Sequence, residues 1–387
     1  MIQDPTLIFA FLAVTIALLF QASRWQPLQP LFQRMPPIVW AYFLPMLATT
    51  VGLLPDNSPL YGALRRFLLP ASLALLLTSA DLRSIARLGR NALLVMVAGM
   101  LGTAVGITAG FFALRPWLPA DAWKGLGALT GSWIGGSANL ITVGAAVDIS
   151  PDLQGVIILV DTVVGYGYMG ILISLAPLQD RFDRWNRADR SVVDDLNRRL
   201  EKLRAERSRP ATTADVALMF GLAAGLTVLS LQVGAWLPPV GKVLGPFSWA
   251  IVVLTTVTLL LSLTRLARIE EAGASAIGYA GFYLLLAGVG AQGNLRHIVD
   301  HPQFALVGVI AILCHAAALL LAVRLLRAPL FFFGTASQAC VGGYASAPIV
   351  ATVYQSAMAP VGLLLAVLGN VAGTYIGLLV SQLLSMA

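Results

Sequence analysis

The residues able to do chemistry in this chain sit inside apolar runs. The stretch "GSWIGGSANLITV" (131–143) holds three glycines, two serines and an asparagine within nine residues, and "VGGYASAPIV" (341–350) repeats the Gly-Gly pair. In hydrocarbon every backbone N–H and C=O needs a partner, so irregular backbone survives at membrane depth only where it lines a polar cavity or is buried in protein. A Gly-Gly pair beside Ser and Asn unwinds a helix and turns the amides of the following half-helix toward such a cavity. Half-helix N-termini favour anionic groups, whereas unwound carbonyls favour cations. This chemistry selects Ser132, Gly135, Gly136, Ser137 and Asn139 in the first element, and Gln338, Gly342, Gly343 and Ser346 in the second, as substrate-binding candidates. Close helix packing through small residues is the competing explanation for either element alone.

Asp161 lies eight residues into an apolar span ("VIILVDTVVGYG") and is the only acidic residue near the middle of any crossing segment. A carboxylate there costs about 2.5–3.5 kcal/mol on insertion scales, and such residues mark ion or proton paths. Asp161, Asn139, Thr142 and Asn370 are the ion-coupling candidates, with Na+ or H+ as the coupling ion and no other cofactor. The bland alternative for Asp161 is a hydrogen bond to a neighbouring helix. His315 is either a proton relay or an interhelical hydrogen-bond donor. His297 and His301, with Asp300, make a poor metal set. Asp148 and Asp152 flank Pro151 at a turn and read as solvated, while Asp81 and Asn294 open similar "D/N-L-R" helix ends. The chain has no H-E-x-x-H, no nucleophile–base pair and no G-x-x-x-x-G-K-[ST], which argues against an enzyme and against direct drive by ATP.

The elements that must position these residues are membrane helices. Of 387 residues, 58% are hydrophobic and 11% charged, against roughly 25% charged in ordinary soluble domains; mean hydropathy is +0.82. Apolar segments fall at about 5–21, 37–54, 60–80, 91–113, 125–147, 153–176, 213–236, 246–263, 273–291, 303–323, 330–357 and 360–385. Runs of this kind are long enough to cross a core of about 30 Å as helices. No cleavage site follows the first segment, which is expected to stay in the membrane. Cys314 and Cys340 both lie in apolar segments and imply no disulfide framework. The net charge of +7 comes mostly from loops flanking spans, where the positive-inside rule expects it, so nucleic acid is not the expected partner.

One polar interruption, 177–212, carries ten Lys/Arg and seven Asp/Glu. It divides the chain into a first membrane repeat (1–176), a charged, helix-compatible cytosolic linker (177–212) and a second membrane repeat (213–387). A shift of 207 residues lays 134–174 ungapped on 341–381 with eleven of 41 positions identical, where chance in so apolar a composition gives roughly one in ten. If the two glycine segments dip in and return, the repeats are inverted; if they cross, the repeats are parallel. The cluster Arg83, Arg87 and Arg90 favours the inverted arrangement, because it then faces the cytoplasm.

The motifs "GSWIGGSANLITVGAAVDISPD…VDTVVGYGYMGILI", "SADLRSIARLG" and "VGGYASAPIVA" resemble the bacterial and plastid membrane family called domain of unknown function 819, over nearly the whole chain. That family is similar to the broad superfamily of cation–proton antiporters and bile-acid sodium symporters. The resemblance implies an all-α polytopic fold of two inverted repeats, a panel and a core domain with two interrupted helices, Gly135–Asn139 and Gly342–Ser346, and an elevator-type homodimer. Gln338 and Cys340 depart from the asparagines expected in the second element. The expectation is therefore a secondary active transporter of a small polar or anionic solute in the cytoplasmic membrane. Its rivals are a cation–proton antiporter of the same architecture, a membrane-embedded enzyme and a channel.

Overall fold

The computed structural model describes residues 2–34, 37–78, 88–188, 209–293, 301–355 and 358–387. Those residues form an all-helical bundle. The first membrane half runs α1 (Pro5–Arg24), α2 (Gln29–Arg34), α3 (Pro37–Thr50), α4 (Pro59–Thr78), α5 (Arg90–Leu114), α6 (Ala122–Gly135), α7 (Ser137–Ala146) and α8 (Pro151–Leu175), followed by the short α9 (Gln179–Asn186). The second runs α10 (Thr213–Trp236), α11 (Pro246–Ser262), α12 (Ala274–Gly290), α13 (Gln303–Leu325), α14 (Leu330–Val341), α15 (Gly343–Tyr354) and α16 (Ala359–Leu384). Among the described residues seven of these helices are long and apolar enough to cross a bilayer: α1, α4, α5, α8, α10, α13 and α16. Helix α11 turns through 92° into a short 3-10 segment, Arg265–Ala272, and counts as an eighth with it. Local capping sets the ends. Asp4 accepts the Thr6 and Leu7 amides at the start of α1, and Thr212 with Asp215 forms a reciprocal capping box on α10; such caps satisfy amides that have no partner inside the helix.

Neither glycine segment crosses. Helix α6 ends at Gly135, Gly136 adopts φ 88°, and α7 returns alongside. A methyl group built on Gly144 would lie 3.7 Å from Ala128 Cβ, and one on Gly131 would lie 3.0 Å from Val143. The second segment does the same at Gly342 and Gly343, since a methyl on Gly334 would lie 2.6 Å from Cζ of Tyr354. At a rise of about 1.5 Å per residue, α6 and α7 reach about 21 and 15 Å, and α14 and α15 about 18 Å each. These lengths reach about the middle of a bilayer and stop. The segments 125–147 and 330–355 are therefore re-entrant hairpins.

The hairpins open toward opposite ends of the bundle. Tyr42 OH donates to the Pro151 carbonyl at 2.6 Å, Thr49 to that of Ala291 at 2.7 Å, and Ser248 to that of Ala146 at 2.8 Å, gathering the open end of the first hairpin with those loops. At the other end Asn186 donates to the carbonyls of Val323 and Ala328, and the Leu330 amide donates to Asp183 at 2.8 Å. Tyr354 OH reaches the Leu172 carbonyl there at 2.7 Å.

The helices pack in two groups. One contains α1, α3, α4 and α10–α12; the other contains α5–α8 and α13–α16, with α5 lying along α13 and α6 along α16. The groups meet along narrower seams, mainly α8 on α3 and α12, and α11 on α7 and α16. The α6–α16 contact is a glycine seam. Gly127, Gly131 and Gly135 face Gly377, Gly373 and Gly369 so closely that a methyl on Gly373 would lie 2.8 Å from the Gly131 carbonyl oxygen. Without a hydrophobic drive between helices in lipid, such close backbone approach supplies the packing attraction. Of the sequence expectations, Asp81, Arg83, Arg87, the stretch 189–207, Asn294, His297 and Asp300 lie outside the described residues.

The seam yields a matched pair of substitutions. Gly373→Ala should lower the thermal unfolding midpoint of the protein in nanodiscs, through the loss of about 1–3 kcal/mol of stability typical of overpacking. Gly170→Ala, whose added methyl meets nothing within 4 Å, should leave the midpoint unchanged.

Candidate functional site

The two hairpin tips meet. A methyl built on Gly343 would lie 3.0 Å from Cα of Gly136, and one on Gly136 would lie 3.3 Å from Cα of Gly343. Both residues have left-handed backbone, φ 88° at Gly136 and φ 61° at Gly343, a conformation that only glycine enters at little steric cost. They are also the two positions that the 207-residue shift superposes. Helices α7 and α15 begin at this meeting point and α6 and α14 end there, so two positive and two negative helix termini converge on one spot. The sequence candidates Gly135, Gly136, Gly342 and Gly343 are thus brought together.

Asn139, in the first turn of α7, is fully buried and fastens the tip to α16. Its Nδ2 donates to Asn370 Oδ1 at 2.8 Å and to the Asn370 carbonyl at 3.2 Å, while the Thr374 hydroxyl donates to Asn139 Oδ1 at 2.5 Å. Every polar atom of the Asn139 side chain is thereby engaged. Thr374 was not legible as a partner, because the pairing spans 235 residues. In the second hairpin Gln338 Nε2 donates to Ser346 Oγ at 2.7 Å, whereas Gln338 Oε1 is buried without a hydrogen-bond partner among the described residues. A buried acceptor left open in this way is costly unless something completes it.

Asp161 points from α8 at the first hairpin, where the Ser132 hydroxyl donates to its Oδ1 at 2.9 Å. The carboxyl borders a cavity of about 10 Å³ lined by Ser137, Leu140, Ile141, Ile158, Thr162 and Leu286. That volume is about one water. Leu286 belongs to α12, so the cavity lies on the seam between the two helical groups. Asp161 is therefore tied to Ser132 of the coupling and binding set; Thr142 spends its hydroxyl on the Ala138 carbonyl of its own helix.

His315 anchors a second polar chain through the core. Its Nδ1 lies 2.9 Å from the Gly99 carbonyl, which can only accept, so that nitrogen carries the hydrogen. Its Nε2 lies 2.9 Å from Ser337 Oγ, which in turn lies 2.9 Å from Tyr168 OH. Thr103 joins the same cluster, 2.9 Å from Nδ1 and 3.3 Å from the Trp133 carbonyl. The histidine is an interhelical connector joining α5, α13, α14 and α8. Among the described residues His301 Nδ1 lies 3.2 Å from Gln303 Nε2 and its ring meets that of Phe304, and no three His, Cys, Asp or Glu side chains form a metal-sized cluster. Asp148 is exposed as expected, yet it pairs with Arg65 of α4 at 2.8 Å.

An all-helical bundle with at least seven membrane-length helices and two re-entrant hairpins joined at their tips defines a polytopic membrane protein. The chain belongs to the family described as protein of unknown function DUF819, which it matches over residues 7–387. It is also 26% identical over 350 residues to a Bacillus subtilis (strain 168) protein named "Uncharacterized membrane protein YjcL", covering 86% of this chain and 85% of that one.

The buried amide clamp separates two threonine and asparagine roles by stability. Asn139→Ala strands Asn370 Oδ1 and the Thr374 hydroxyl in a dry contact, and unfolding in nanodiscs should show a loss of about 1–3 kcal/mol. Thr142→Ala, which removes only a bond within its own helix, should change stability by less than about 0.5 kcal/mol.

Proposed function

We propose that this protein is a secondary active transporter of a small polar or anionic solute, coupled to Na+ or H+. The observation that carries the proposal is the tip-to-tip meeting of two re-entrant hairpins that enter from opposite ends of the bundle. Four half-helix ends placed there turn their amides and carbonyls toward one buried point that lipid cannot reach. Gln338 Oε1, buried and open, adds a side-chain acceptor beside that point. Substrate binds between the tips, and Asp161 binds the coupling cation at the seam, where its cavity takes one small ligand.

In this proposal residues 1–176 and 213–387 are inverted repeats, consistent with the opposed hairpins, and the chain falls in the antiporter and symporter superfamily. The group containing both hairpins moves as a core against the other six helices in an elevator-like alternation, with a homodimer steadying the latter as a panel. Residues 177–212 face the cytoplasm across the inner membrane. The closest rival is a cation–proton antiporter in which Asp161 alone exchanges a proton for a metal ion. Stimulation of transport by an organic solute separates the two readings, because the open Gln338 oxygen can accept from such a solute's donor or ligate a cation.

The test begins with a thermal-shift screen of metabolites with and without sodium, since a ligand bound only by the folded state raises apparent stability. The best hit is then followed into proteoliposomes under a sodium or proton gradient. Asp161→Asn should abolish gradient-driven uptake while membrane insertion and yield stay unchanged. Uptake at the wild-type rate would remove Asp161 from the coupling.

A further inference from the structure

On the end of the bundle where the first hairpin opens, a cavity of about 350 Å³ lies between the two helical groups. Arg65 of α4 forms part of its wall on one side, and Asp121, Lys124, Asp148 and Gln154 of the hairpin group form the other. Its size falls in the range of small-molecule sites, about 300–1,000 Å³. Arg65 and Asp148 neutralise each other across the seam. Lys124 gives one of its three donors to the Asp148 carbonyl at 2.8 Å, and the Asp121 carboxylate makes no hydrogen bond or ion pair within the described residues. Gln154 is 3% exposed, and its Nε2 is a buried donor with no partner among the described residues.

The wall therefore holds a lysine that lies over the Trp123 ring and keeps donors to spare, a carboxylate without a partner among the described residues and, just behind its surface, a buried amide donor in want of an acceptor. A simple anion would satisfy Lys124 and Gln154 but would face Asp121 as a like charge. A simple cation would leave Gln154 unanswered. We propose that this vestibule is a binding site for a small zwitterion of the amino-acid type, its carboxylate received by Gln154 Nε2 and Lys124 and its ammonium by Asp121. Ile141, which is buried, lines both this vestibule and the small cavity at Asp161. It is the apolar partition between an outer docking place and the coupling carboxylate. The assignment rests on the transporter proposal and narrows its substrate class.

The experiment uses the purified full-length protein in nanodiscs, with binding read by thermal shift and calorimetry and no ion gradient. The probes are the twenty L-amino acids and, for the strongest of them, its N-acetyl derivative and its primary amide. At least one amino acid should bind, each derivative should bind at least tenfold more weakly, and Gln154→Leu or Asp121→Asn should each weaken binding at least tenfold. Asp121 is partly exposed, so its variant remains informative even if Gln154→Leu does not fold. No binding by any amino acid, equal binding of the N-acetyl form, or undiminished binding by Asp121→Asn would overturn the assignment. Because no gradient is present, an error about Asp161 leaves these outcomes unaffected, and gradient-driven uptake of another solute would uphold transport while this site fails.

Discussion

A polypeptide turning round inside hydrocarbon must answer its own peptide groups, and that demand governs this molecule. Two helices run to about the middle of the bilayer, stop at glycines in left-handed conformation and come back. Such turns would be prohibitively costly against lipid, where each unsatisfied group costs several kcal/mol. They survive because each turn is set against the other, Gly136 on Gly343, and because α16 closes over them. The glycine seam lets α16 approach α6 at backbone distance, and Asn370 and Thr374 then reach Asn139 in the first turn of α7. Packing, capping and the irregular backbone are one arrangement, and the seam without the clamp would leave buried polar atoms open.

The same arrangement leaves two helical groups, each packed more densely within itself than against the other. Within the hairpin group contacts are dense and backbone-close. Between this group and the other six helices the contacts are fewer, and both the small cavity at Asp161 and the larger vestibule lie along that boundary. A boundary bearing cavities, a carboxyl group and the Arg65–Asp148 pair can be rearranged at less cost than the packed core. In the transporter proposal this is the surface along which access alternates, with Asp161 beside it and the hairpin tips carried on one side.

Much of this was legible in the sequence. The Gly-Gly pairs stand out because their neighbours are polar inside apolar runs, and the 207-residue shift already pairs Gly136 with Gly343. Asp161 stands out because a mid-span acid is expensive. What the sequence left open was direction: the loop charges hardly distinguish a crossing segment from a returning one, and contacts such as Ala128 with the Gly144 region and Gly334 with Tyr354 decide it. Partners distant in sequence were also hidden. Thr374 is one hydroxyl among many in an apolar helix, and Arg65 looks like an ordinary flanking cation until Asp148 is placed 2.8 Å away. Gln154 carries no motif at all; its significance is that Nε2 ends up buried with nothing to bond.

The most direct measurement is the sidedness of the hairpin ends in a cysteine-free background, read with a membrane-impermeant thiol reagent in oriented vesicles. Single cysteines replacing Lys124 and Asp148 flank the first hairpin, and those replacing Arg327 and Gln355 flank the second. The account predicts that Lys124→Cys and Asp148→Cys label from one face, and Arg327→Cys and Gln355→Cys both from the other. Labelling of Lys124→Cys and Asp148→Cys from opposite faces would mean that the segment crosses, and the meeting of two folded-back tips would be refuted.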